Sequence, residues 1–143
     1  MFVKQISLFM ENRSGRLDAA CRALAEKEIN ILALSLADTA DFGILRLIVS
    51  DPDAGAQALK DAGFTVITNN VLAVEVEDRP GGLARLLDVL TASSVNVEYM
   101  YAFSSATTQR AALILRFEDN ERAITVLNDA GVGVMNRVDV LGQ

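Results

Sequence analysis

Apolar residues alternate along residues 3–10, with Ile6, Leu8 and Met10 on one side, and the period then changes. Leu17, Ala20, Cys21 and Leu24 recur at helical spacing, which predicts a strand followed by a helix over 15–27. Alternation returns at Ile29-Asn30-Ile31 and holds to about Ala37. A short polar turn, Asp38 to Asp41, leads into a further strand in which Gly43, Leu45, Leu47 and Val49 alternate, so the pair reads as a hairpin. Asp51 is placed to cap a helix over 52–62, with Pro52 in its first turn, where a missing N–H costs nothing, and Gly63 at its end. Phe64 to Thr68 gives a short fourth strand.

The whole series then recurs. Leu72, Val74 and Val76 alternate, and Leu83, Leu86, Leu87 and Leu90 repeat the helical stripe at a spacing of 66 from Leu17, Ala20, Cys21 and Leu24. The predicted strands are 71–77, 95–103, 110–117 and 132–140, and the helices 81–93 and 120–130. Asp129-Ala130-Gly131 matches Asp61-Ala62-Gly63 at a spacing of 68, which places two added residues in the hairpin loop Ser104 to Gln109. Strand, helix, strand, strand, helix, strand is the order of a ferredoxin-like plait. The expectation is an α+β chain of two tandem βαββαβ plaits, 1–69 and 70–143, each an antiparallel sheet with both helices on one face. Asn69-Asn70 is the only break between them, reaching roughly 7 Å. Matching 64–73 onto 132–141 leaves open a second arrangement, in which one strand serves both sheets.

With 143 residues, 51% of them apolar, the chain has material for two small domains. No apolar run reaches the roughly 18 residues of a membrane span, and the N-terminus alternates where a signal sequence would be continuously apolar. A soluble, cytoplasmic protein with no membrane partner is expected. Cys21 is the one cysteine and histidine is absent, which excludes internal disulfides, Cys/His zinc sites and His-dependent triads. No metal, cofactor or catalytic residue is assigned. A net charge of −6 and a pI near 4.6 would repel a phosphate backbone, so nucleic acid is not an expected partner.

Candidate chemistry sits where the period changes. Glu11-Asn12-Arg13-Ser14-Gly15-Arg16-Leu17 and Glu77-Asp78-Arg79-Pro80-Gly81-Gly82-Leu83 carry the same order of residue types, each closing a strand and opening a helix. Backbone N–H groups at a helix start lack partners within the helix and lie at the positive end of its dipole, so such a turn can receive a carboxylate. Gly15 and Gly81 give either a tight turn or room for that carboxylate against bare backbone. Asn12 can accept from an ammonium and donate to a carboxylate, whereas ionised Asp78 only accepts; either could equally be a turn residue. Arg13, Arg16 and Arg79 are candidates for pairing with a carboxylate, or are solvated.

These two turns, with Ile29-Asn30-Ile31 and Val95-Asn96-Val97, resemble the ACT domain, a ferredoxin-like module that binds amino acids as the regulatory part of biosynthetic enzymes. The resemblance covers essentially the whole chain, twice. In the serine-binding ACT domain of phosphoglycerate dehydrogenase the turn supplies an Asn and a second Asn opens the next strand at the interface with a partner domain. Asn12 and Asn30 match those positions, and Asp78 and Asn96 match them in the second repeat. Met10 and Val76 stand where that domain has a histidine. The resemblance implies a ligand site built from Asn12, Arg13, Ser14, Gly15, Arg16 and Leu17 with Asn30 and Ile31, and a second from Asp78, Pro80, Gly81, Gly82 and Leu83 with Asn96 and Val97.

Apolar bulk on both sides of single strands bears on assembly. Tyr99, Tyr101 and Phe103 oppose Met100, and Ile31 and Ala33 oppose Leu32, Leu34 and Leu36. Helices cover one face of a plait, so the other needs a second sheet, a partner chain or a ligand, and a homodimer is expected. The reading is a non-catalytic regulatory protein that binds an amino acid and passes its occupancy to a regulated enzyme partner. Two alternatives stay open. One is a regulatory small subunit of an amino-acid biosynthetic enzyme such as acetolactate synthase. The other is a ferredoxin-like enzyme using Glu77 or Asp78 as acid or base.

Overall fold

The computed structural model describes residues 2–38, 40–104 and 110–136. The elements run β1 (Val3–Glu11), α1 (Arg16–Glu26), β2 (Ile31–Asp38), β3 (Phe42–Val49), α2 (Pro52–Asp61), β4 (Thr65–Glu77), α3 (Gly82–Ala92), β5 (Val97–Ser104), β6 (Arg110–Phe117), α4 (Asn120–Asp129) and β7 (Val134–Met135). This is the expected βαββαβ series twice over. The strands follow the order β2-β3-β1-β4 in the first repeat and β5-β6-β4 with β7 beside β4 in the second, the order of a ferredoxin-like plait. Contacts divide the chain into two units, Lys4–Asn69 and the described residues from Asn70 onward together with Phe2 and Val3.

The division falls at Asn69-Asn70 without a break in the strand, which is the second of the two arrangements the sequence leaves open. Both asparagines lie inside β4, a single strand of 13 residues that ends the first repeat and begins the second. The alternation that suggests a short strand at 64–68 and another at 71–77 is one strand, interrupted in hydrophobicity but not in backbone. Asn69 Oδ1 accepts from Ser7 Oγ at 3.2 Å, and the Asn70 carbonyl accepts from Arg116 Nη1 at 3.0 Å and Asn120 Nδ2 at 3.1 Å. The two polar residues are therefore tied to each repeat in turn. Of the strand expected over 132–140, β7 covers Val134 and Met135, and the part from 137 lies outside the described residues, as do 105–109 of the second hairpin loop.

Each unit has its own core on the helical side of its sheet. In the first, Ile6 and Leu8 of β1 and Leu45, Leu47 and Val49 of β3 meet Ala20 and Leu24 of α1 and Leu59 of α2. In the second, Leu72 and Val74 of β4 and Leu113, Leu115 and Phe117 of β6 meet Leu86 and Leu90 of α3 and Leu127 of α4. The helical stripes are narrower than their apolar spacing suggests. Leu17 and Leu83, one turn before the buried pair, stay 37% and 40% exposed, and Cys21, expected among the buried positions, is only half-buried. The first turns of α1 and α3 thus leave apolar side chains exposed beside the candidate site.

Candidate functional site

The four helices begin in two different ways. Asp51 and Asp119 precede α2 and α4 with extended backbone, and their carboxylates accept from Ala54 N at 3.1 Å and Arg122 N at 3.0 Å. Those first turns are capped by the chain itself. Gly15 and Gly81 precede α1 and α3 in the left-handed region, φ 89° and 86°, and no side chain caps either helix. The backbone reverses tightly and presents the first-turn amides without a carboxylate of their own. It is this arrangement that a ligand carboxylate can complete.

Around the first turn lies a cleft of about 480 Å³ whose walls include Asn12, Arg13, Ser14 and Leu17 from the turn and helix, Met10 from β1, and Leu36 and Asp38 from β2. Asn12 is fastened at both ends: its N–H donates to the Asp41 carbonyl at 2.9 Å and its Nδ2 to the Ala40 carbonyl at 3.4 Å. Arg13 is turned to Glu11, Nε to Oε2 at 2.8 Å, with both side chains largely exposed. Arg16 leaves the cleft altogether. Its guanidinium lies 4.5 Å from the centre of the Phe64 ring, a cation–π contact on the far side of the turn.

Asn30 is not brought to Asn12. The row Met10, Gly43, Asp38 runs across β1, β3 and β2 at the cleft, whereas Ile31 pairs with Val49 at the other end of β2. Seven strand residues separate the ends, roughly 23 Å. Asn30 instead exchanges bonds with Ser50, its N–H donating to Oγ at 2.9 Å and its carbonyl accepting from Ser50 N at 2.9 Å. Ile31 is half-buried against the first core and Val97 against the second. In the second repeat Asn96 likewise lies beside the start of α4, in a cleft with Glu118, Asp119 and Arg122, away from Asp78.

The second turn has its own chemistry. Glu77, Asp78, Arg79 and Arg110 line a cleft of about 580 Å³. Glu77 is ion-paired with Arg79, and Arg85 of α3 comes within 4.0 Å of the same carboxylate. A Cβ at Gly81 would sit 3.6 Å from the Arg85 guanidinium, while one at Gly15 would meet nothing within 4 Å. Pro80 and Leu83 are exposed, and Gly82 is buried under the Glu77 carbonyl.

Leu36, Asp38 and Gly43 line the first cleft without having been read as site residues. Strand alternation puts Leu34, Leu36 and Asp38 on one side, and a hairpin register would have placed Gly43 opposite Asp38. The signal was in the spacing of the hairpin, not in residue types.

Two βαββαβ units, each with a glycine-started first helix, define a pair of ferredoxin-like modules. The chain belongs to the ACT domain pair family, whose model matches residues 1–140. It is similar to protein BT0572 of Bacteroides thetaiotaomicron, with 40% identity and a TM-score of 0.94 over 100% of this chain and 98% of that one. The regulatory subunit of aspartate kinase from Thermus thermophilus, in its ligand-free form, shares the fold at a TM-score of 0.62 and 20% identity, over 89% of this chain and 91% of that one. The same subunit from Thermus flavus does so at 0.59 and 18%, over 90% and 92%. No curated protein matches the sequence. No helix among the described residues is long and apolar enough to cross a membrane.

Proposed function

We propose that this chain is a non-catalytic sensor that binds an amino acid at the turn between β1 and α1 and passes its occupancy to a regulated enzyme partner. The observation that carries the reading is the contrast between helix starts. Aspartates close α2 and α4, and α1 opens on a left-handed glycine with no side-chain cap beside a cleft. The amides of the first turn take the carboxylate and Asn12 accepts from the ammonium. Glu77, the acid–base candidate of the enzymatic alternative, is ion-paired with Arg79, which supports a structural role for it.

Asn30 enters this reading from a second copy of the chain. β2 is a sheet edge with Leu34 and Leu36 about half exposed, and an unpaired apolar edge is a template for pairing. A ligand shared between copies would bias their association, since a ligand shifts only equilibria whose states it contacts unequally. Light scattering at micromolar concentration is expected to return a dimer, and a monomer would remove Asn30 from the site.

An amino acid of about ten non-hydrogen atoms at roughly −0.3 to −1 kcal/mol each binds with a micromolar to millimolar Kd. At a hundredfold excess over Kd, binding to the native state adds about 2.7 kcal/mol, a rise of several degrees in melting temperature. A thermal-shift screen of the proteinogenic amino acids at about 10 mM tests it. Asn12→Ala is expected to abolish most of the shift and Asp78→Ala little of it; no shift with any amino acid would refute the site.

A further inference from the structure

We propose that the first cleft selects an amino acid with an apolar side chain, seating that side chain against Met10, Leu17 and Leu36 and its ammonium between Asn12 and Asp38. This rests on the first turn being the ligand site, and adds which class of ligand the site takes.

The lining is divided by chemistry. Leu17 and Leu36 are 37% and 48% exposed, so each presents uncovered apolar surface to the cleft that Met10, itself buried, backs from β1. Between them Gly43 leaves a recess. A Cβ built there would lie 3.5 Å from Leu36 Cδ1, 3.7 Å from Met10 Cγ and 3.7 Å from the Ala37 carbonyl oxygen, ordinary contact distances, so the missing side chain is a methyl-sized space with apolar side chains on two sides. A serine or an aspartate side chain placed there would give up water for carbon on both sides, whereas a leucine or methionine side chain would be removed from water. At about 480 Å³ the cleft holds one amino acid with its first waters, within the range of small-ligand sites.

Asp38 supplies the complementary charge. It pairs in register with Gly43, and Met10 pairs with Gly43 from the other side, so carboxylate, recess and thioether stand in one row across three strands. The neighbouring cation, Arg13, is engaged by Glu11. Asp38 therefore faces the cleft as the acid suited to an ammonium, opposite the helix start that suits a carboxylate.

The second repeat keeps Val76 and Leu83 at the positions of Met10 and Leu17 but lacks the rest of this arrangement. Ala111, paired with Ser104 and Glu77's neighbour in the ladder Val76, stands at the Gly43 position and fills the recess with a methyl; Ser104 replaces the acid, and Ala102 replaces Leu36. The cleft at that turn is walled by Glu77, Asp78, Arg79 and Arg110. Among the described residues the Leu36 wall and the Gly43 recess have no counterpart there, and the expected stoichiometry is one ligand per chain.

Titration calorimetry on the intact chain tests the class, with leucine, methionine, serine, aspartate, lysine and isocaproate, the last being leucine without its amine. Leucine or methionine is expected to bind at least about tenfold more tightly than serine, aspartate or lysine, and isocaproate more weakly than leucine. Leu36→Ser, at an exposed position, should reduce the leucine-to-serine preference several-fold, and Asp38→Asn should bring leucine and isocaproate together. If no amino acid binds, the reading of the turn itself falls, and the ligand class with it. If serine or aspartate binds as tightly as leucine, or Leu36→Ser leaves the preference intact, the turn stands as a site and the apolar class is overturned.

Discussion

The turns at 11–17 and 77–83 have one backbone design and two chemistries. Both put a glycine in the left-handed region at an uncapped helix start, and both pair a glutamate with the arginine two residues on. The first then opens: Arg16 swings to Phe64, Ala19 adds no reach, and the cleft keeps an apolar side. The second closes: Arg85, at the position of Ala19, reaches back over Gly81 towards Glu77, and Gly82, at the position of Arg16, lets the Glu77 carbonyl press onto the helix start. A turn that leaves its amides open can serve a ligand. One that draws its own charged groups across them leaves a charged cleft instead.

The largest effect that would break this comparison is at Gly82. A Cβ there would lie 2.1 Å from the Glu77 carbonyl oxygen, a distance that no rotamer relieves because both atoms belong to the backbone or its first carbon. Gly82→Ala must therefore move the turn, at a cost on the order of 3 kcal/mol and a fall in melting temperature of about 10 °C. Arg16→Gly, the reciprocal change in the first repeat, removes the contact with Phe64 and some helix propensity, together about 1–2 kcal/mol. Equal losses by thermal denaturation would mean that the two turns are packed alike and that the openness of the first is not a property of its backbone.

How far the sequence reaches follows from the same residues. Elements were legible wherever an apolar period lasted a full element, as in Ile6, Leu8 and Met10 or Leu86 and Leu90, and the cap Asp51 marks its helix because the capping chemistry is local. The long β4 was legible only as one of two arrangements, since Asn69 and Asn70 look like a linker until their partners Ser7, Arg116 and Asn120 are seen. The turn residues Asn12 and Ser14 could be named from their motif. The opposite wall of the cleft could not, because Leu36, Asp38 and Gly43 reach it only through strand register, and register is a tertiary fact. The fate of Arg16 was hidden for a similar reason: nothing local announces that Phe64, 48 positions away, supplies the ring it rests on.

A smaller effect sharpens the comparison. Gly15 and Gly81 have nearly the same φ, 89° and 86°, so replacing either with alanine imposes the same backbone strain, about 1 kcal/mol and a few degrees of melting temperature. The surroundings differ. At Gly15 the new methyl would meet nothing within 4 Å, so strain is the whole cost; at Gly81 it would meet the Arg85 guanidinium at 3.6–3.8 Å, an ordinary contact with the far end of a flexible, exposed side chain. Arg85 can yield, and its interaction with Glu77 at 4.0 Å across exposed side chains contributes at most a few tenths of a kcal/mol. The two variants are therefore expected to lose equal stability to within about 0.5 kcal/mol in paired denaturation curves. A distinctly larger loss at Gly81, removed by adding Arg85→Ala, would show that the arginine is held rigidly over the second turn and that its closure is a fixed part of that repeat's packing.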